Sequence, residues 1–175
     1  MDKTKAILVS VLIAVTTCVA FAGNPVPHNL LEVHPKYFCE VNLGYGTTSH
    51  ANGVDTYSGR VIVGTLQGVN LNQFFDTGVG LDIMPFTHYY SGQGVRCGMT
   101  LYGDVRVMYP IKHSLVPYID FGVGGFIGLS NLSSGFYCQF GPGIKYKVWG
   151  FCCGLNAIGT GSGCASFFMK LSYKF

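Results

Sequence analysis

From Lys36 onward, apolar and polar residues alternate along the chain in runs of strand length. The last run, Ala165–Phe175, reads ASFFMKLSYKF: Phe167, Met169, Leu171, Tyr173 and Phe175 share one parity, and Ser166, Phe168, Lys170, Ser172 and Lys174 the other. Successive side chains of a β-strand point to opposite faces, so this run has one oily face and one mostly polar face. The same period recurs upstream. In Lys36–Gly46 the oily parity is Tyr37, Cys39, Val41, Leu43 and Tyr45. In Arg60–Leu71 it is Val61, Val63, Val69 and Leu71, blurred by Thr65 and Gln67. Five further runs follow: Asp76–Phe86, Gly98–Tyr109, Pro117–Leu129, Phe136–Val148 and Phe151–Gly159. Polar, glycine-bearing stretches at Thr47–Ser58, Thr87–Cys97, Ser130–Gly135 and Thr160–Gly163 read as loops, and Asn72–Phe74, Pro110–Val116 and Trp149-Gly150 as tight turns. The pattern therefore predicts eight antiparallel strands, with both termini and the three tight turns at one end and the four loops at the other.

Alternation alone fits two architectures: a soluble ligand-binding barrel with its oily parity inside, or a transmembrane barrel with that parity facing lipid. The other parity decides between them. In a soluble barrel it would carry many solvated Lys, Glu and Asp. Here it carries glycine, Asn and Gln with a sparse set of both signs, namely Glu40, Asp82, Asp104, Arg106, Asp120, Lys145 and Lys170, with Lys147 placed beside Lys145. Composition agrees, because charged residues make up only 11% of the 175-residue chain while glycine numbers 25 and aromatics reach 14%. A soluble surface needs far more charge. The expected fold is all-β, an eight-stranded antiparallel up-and-down transmembrane β-barrel over residues 36–175. Its interior is only wide enough for side chains. The seven charged residues above are accordingly expected to form a paired network, a structural plug and not a conducting pore, since isolated charges there would be costly.

The chain begins with Lys3 and Lys5, an apolar run from Ala6 to Val15, and Ala20-Phe21-Ala22 before Gly23. This is the layout of a secretory signal peptide, predicting cleavage after Ala22. Thr16 and Thr17 stop the run well short of the ~20 residues of a membrane-spanning helix, and no later stretch is apolar over that length. Gly23–Pro35, with Pro25, Pro27 and Pro35, reads as an extended lead-in. The net charge of +3 includes two signal-segment lysines, and no basic stripe remains to suggest nucleic acid.

Three features together resemble a known family. The terminal Phe175, with Phe167, Met169, Leu171 and Tyr173 at every second position before it, is similar to the C-terminal signature of bacterial outer-membrane barrels. The segments Pro117–Gly124 (PYIDFGVG) and Gly141–Tyr146 (GPGIKY) look like the OmpA-like/OmpX-like outer-membrane β-barrel superfamily. The resemblance covers nearly the whole mature chain. It implies residence in a Gram-negative outer membrane with both termini periplasmic, contact with membrane lipid and lipopolysaccharide, and recognition of the C-terminal signature by the barrel-insertion machinery. It also implies a function drawn from a short range: structural barrels, adhesion proteins, accessory subunits of larger outer-membrane complexes, and a few lipid A-modifying enzymes.

The residues do not fit that last class. A deacylase-like site resembles a His-x-Ser pair on one strand face with a carboxylate nearby. His113 is followed directly by Ser114, so the two would point apart, and both fall in a predicted turn. His88 and Ser91 share a predicted loop with no acidic residue close in sequence; His28, His34 and His50 are scattered. No metal-ligand spacing and no phosphate-binding glycine loop are present, so the expectation is a non-enzymatic chain with no cofactor. Cleavage would leave Cys39, Cys97, Cys138, Cys152, Cys153 and Cys164. Cys97, Cys138 and Cys164 fall near loop-side strand ends, where one disulfide is geometrically open to them, whereas Cys39, Cys152 and Cys153 read as buried small residues. Tyr57, Tyr89 and Tyr90 are the obvious loop anchors. The reading is a barrel with a structural or protein-interaction role, including that of an accessory subunit; the alternatives are a lipid A-modifying enzyme and a narrow channel.

Overall fold

A computed structural model describes residues 35–48, 57–88, 96–109, 115–129, 133–159 and 164–175. The chain divides into two units, Met1–Val33 and His34–Phe175. The expected signal peptide and all of the lead-in except Pro35 lie outside the described residues. The second unit is built from β1 (Lys36–Thr48), β2 (Tyr57–Asn70), β3 (Phe75–His88), β4 (Arg96–Met108), β5 (Leu115–Gly128), β6 (Gly135–Tyr146), β7 (Trp149–Gly159) and β8 (Cys164–Lys174). Each strand pairs antiparallel with the next, and β8 pairs back to β1, so the sheet closes into a barrel with strands in chain order.

Closure is carried in register by Leu43 opposite Leu171 and Val41 opposite Tyr173. One residue beyond β8, the Phe175 amide donates to the Cys39 carbonyl at 2.9 Å. A closed ladder leaves no strand edge unpaired, which removes both the aggregation hazard and the cost of unbonded backbone in an apolar medium.

The strands outrun the oily segments that predicted them. β1 continues two residues past Gly46, β2 starts three before Arg60, and β3 reaches His88, so parts of the expected loops are ladder. Backbone pairing needs no apolar side chain and persists into polar sequence beyond the oily belt. The expected turn at Trp149-Gly150 is corrected as well: Trp149 pairs with Tyr146, so the reversal is made by Lys147 and Val148, with Lys147 at φ 55°. That turn takes Lys147 off the inner face; it is exposed, with Nζ 5.4 Å from the Tyr146 ring. The β2–β3 turn is held by Asn72, whose Oδ1 accepts the amides of Phe74 and Phe75 at 2.8 and 2.9 Å, an Asx-type closure.

The two parities separate as strand geometry demands. Outward residues such as Leu43, Val79, Leu101, Phe140 and Leu155 are exposed, while inward Phe38, Ile62, Met84, Tyr137 and Phe168 are fully buried. Glycines on the inner face make room for rings: Tyr102 lies over Gly80, Tyr118 over Gly143 and Phe126 over Gly98. The inner face is not uniformly polar, however. Its loop-side half gathers Ile62, Met84, Phe86, Phe126, Ile158 and Phe168 into an apolar cluster, and the charges concentrate toward the end that holds the termini.

A charge-paired lumen as the candidate functional site

One centre of the lumen is Arg106 on β4. Its Nη1 meets Glu40 Oε2 of β1 at 2.6 Å, and its Nε lies 3.0 Å from Asp120 Oδ2 of β5 and 3.2 Å from Asp104 Oδ2 of β4. The guanidinium also sits 5.3 Å from the centre of the Tyr118 ring. One rigid fork thereby holds three carboxylates from three strands, the geometry for which arginine is suited and lysine is not.

A second centre lies further from the chain termini. Lys170 Nζ on β8 donates to Asp82 Oδ2 of β3 and to Gln139 Oε1 of β6, both at 2.8 Å. Rings of Tyr102 and Phe168 lie 5.2 and 5.4 Å from the same nitrogen. Gln139 joins the two centres. Its Nε2 donates to Asp120 Oδ1 at 2.7 Å and to Asp104 Oδ1 at 3.3 Å, while its Oε1 accepts from Lys170 and from Tyr137 at 2.9 Å. An amide can do this because it carries donor and acceptor at one end.

Toward the termini, Lys145 Nζ pairs with Asp76 at 2.8 Å and Glu40 at 3.4 Å. Asn70 donates to Asp76 and accepts from Lys174 Nζ at 3.1 Å, and Lys174 caps the Phe38 ring at 4.4 Å. At the opposite end, Arg60 is buried with its Nη2 donating to Asn156 and to Ser166, the latter at 2.6 Å. Between Asn42, Arg106, Gln139, Lys170 and Ser172 a cavity of ≈ 10 Å³ remains, about the space one water molecule needs.

The structure thus brings Glu40, Asp104, Arg106, Asp120 and Lys145 into one cluster and sets Asp82 with Lys170 in another. Sequence reasoning left out Asp76, Arg60, Lys174 and the bridging Gln139. Asp76 and Arg60 stood at the ends of oily runs and Lys174 beside the terminus, so their inward parity was the available signal. With them, the described lumen holds five carboxylates (Glu40, Asp76, Asp82, Asp104, Asp120) against five cations (Arg60, Arg106, Lys145, Lys170, Lys174). No charged side chain occupies an outward strand position among the described residues.

The C-terminal signature residues Phe167, Met169, Leu171, Tyr173 and Phe175 all lie outward and exposed. Tyr173 stacks edge-on against Trp149 and Phe175 with ring centres 4.9 and 5.0 Å apart. Tyr37, Tyr109 and Tyr146 stand exposed near the same barrel end. Cys97 and Cys138 are free thiols on β4 and β6, with β5 between them, so no bridge joins that pair; the Cys164 side chain is outside the described residues. Cys39 and Cys153 are half-buried on the outward face instead of interior, and Cys152 alone of its group is buried in the lumen. His88 ends β3 rather than lying in a loop; His28, His34, His50, Tyr89, Tyr90, Ser91, His113 and Ser114 lie outside the described residues. Tyr57 opens β2.

No protein family matches the sequence, and no curated protein does. Solved structures do. One is Neisserial surface protein A (NspA), which aligns with a TM-score of 0.56 over 81% of this chain and 99% of that one, at 11% identity. At so low an identity the likeness is one of fold, and it agrees with the eight-stranded closed antiparallel barrel.

Proposed function

We propose that this chain is a small non-enzymatic outer-membrane β-barrel of the OmpA-like/OmpX-like kind, with both termini periplasmic and a structural or protein-interaction role, including that of an accessory subunit. The observation that carries the reading is the division of charge. Five carboxylates and five cations face inward, and the outward strand positions among the described residues carry no charge. In water that arrangement is inverted; in lipid it is required. Strands of 11 to 14 residues, rising ~3.3 Å per residue at a tilt of ~40°, stand about 28–35 Å tall, close to the ~30 Å hydrocarbon layer. Exposed Tyr37, Tyr109, Tyr146 and Trp149 form an interfacial aromatic belt at the terminal end. The likeness to a neisserial surface protein supports an envelope location.

The packed lumen favours a plug over the channel alternative, since the cavity between the two ion centres is of single-water size. Two measurements on the full chain test the reading. Cell fractionation should place the protein, processed after Ala22, in the outer membrane; recovery as a soluble protein would refute it. In a planar bilayer the reconstituted protein should show no large stable conductance, and sustained open-channel steps would replace the plug with a pore.

A further inference from the structure

The outer wall is not the same all round. Across β5 to β8 it carries the exposed rings of Phe121, Phe140, Phe151 and Phe167. Across β1 to β3 the exposed aromatics among the described side chains are Tyr37, Tyr45 and Phe75, and between them the wall is aliphatic, with Val41, Leu43, Val63, Val79, Leu81 and Ile83. β-Branched side chains hold one rotamer and lose little freedom when something packs on them.

In that aliphatic wall stands a carboxamide. Gln67 on β2 lies between Cys39 of β1 and Val79 of β3, exposed, and is the one outward strand amide among the described residues. The Tyr37 hydroxyl donates to its Oε1 at 3.0 Å. That bond leaves the Gln67 Nε2 donors without a partner among the described residues. The half-buried Thr65 lies one outward position further along the same strand. Gln67 stands four residues from Leu71 at the turn, about 10 Å up a belt that is ~25 Å tall in such barrels. Acyl chains offer an amide N–H no acceptor, and a polar group facing hydrocarbon is costly.

We propose that Gln67 marks an isologous dimer face, on which a second copy of this chain docks β1–β3 against β1–β3 within the membrane. A carboxamide is donor and acceptor at once, so two copies of Gln67 related by a two-fold axis complete each other's hydrogen bonding. The flanking small β-branched residues let two curved walls approach closely, as small residues do where membrane segments pack. The inference rests on the membrane reading above.

Cys39, free and directly across the ladder from Gln67, supplies a native reporter. Membranes containing the full chain are treated with a short thiol-to-thiol cross-linker and resolved by size. The expected result is a dimer band in the wild type that disappears in Cys39→Ala and falls at least five-fold in Gln67→Leu, with each variant still membrane-integrated. A membrane-integrated wild type that gives only monomer, a dimer band indifferent to Gln67→Leu, or a cross-link to a different protein overturns the dimer and leaves the barrel reading intact. Protein found outside the membrane fraction overturns the membrane reading itself, so the two failures are distinct.

Discussion

Replacing Arg106 with methionine tests whether the lumen is a plug held by charge pairing. Methionine keeps an unbranched apolar stem and removes the fork. Glu40 would retain Lys145 at 3.4 Å, but Asp104 and Asp120 would be left sharing the single amide of Gln139. Both carboxylates are almost completely buried, at 2% exposure each. Removing one partner of a buried ionic group costs about 3–5 kcal/mol, because the other partner stays desolvated. The expected loss is therefore about 3–5 kcal/mol. Trp149, the only tryptophan, stands at the β6–β7 turn against Tyr173, so its fluorescence follows unfolding in urea after reconstitution into vesicles. At an m-value of about 2 kcal/mol/M the midpoint should drop by about 2 M, and Arg106→Lys should recover part of it. A loss below about 1 kcal/mol would mean that water already solvates these carboxylates, and the plug would be refuted.

Glycine on the two faces should behave oppositely. A Cβ on Gly80 would fall 2.6 Å from Tyr102 Cε1, whereas nothing lies within 4 Å of the position on Gly125. Gly80→Val should therefore cost about 1–3 kcal/mol or prevent folding, while Gly125→Ala should stay within about 0.5 kcal/mol of wild type; equal effects in urea titrations would count against the ring-over-glycine packing. Deleting Phe175 removes the bond to the Cys39 carbonyl and the ring beside Tyr173. The assembled fraction in outer membranes should fall severalfold relative to the full chain, and unchanged assembly would remove the C-terminal residue from the insertion signature.

The period-two pattern made the strands, their count and their faces legible, because a strand has only two faces and the oily parity labels one of them. Val61, Val63 and Leu71 point outward as expected despite Thr65 and Gln67 between them. Strand ends were less legible. Thr47 and Thr48 continue β1 because the ladder is made by backbone groups that composition does not report. The turn at Lys147-Val148 was displaced for a related reason: Trp149 and Gly150 look like a break, yet Trp149 has cross-strand partners in both Tyr146 and Tyr173. The inward charges were individually visible by parity, but their pairing was not. Glu40 and Arg106 are 66 residues apart in sequence, and only the register of several ladders determines which carboxylate meets which cation. Gln139 was legible as an inward amide by parity, but its place as the joint between two ion centres was not.

The same geometry separates what holds the barrel from what it presents. Every described carboxylate lies in the lumen, where it contributes to a neutral, hydrogen-bonded filling and is unavailable to any outside partner. Stability therefore rests on Glu40, Arg106, Gln139 and Lys170, and changes there should alter unfolding without altering association. The outward wall makes the opposite contribution. Valine or leucine would satisfy lipid at Gln67 as well as at Val63 or Val69 on the same strand, so the amide's contribution to an isolated barrel is confined to the exposed bond from Tyr37. Its Tyr37 bond shows the protein committing a girdle hydroxyl to it. Gln67→Leu should then leave the urea midpoint unchanged or raised while association falls, and Arg106→Met should do the reverse. If both substitutions moved both readouts together, lumen and wall would be one cooperative unit, and a division of roles between them would be untenable.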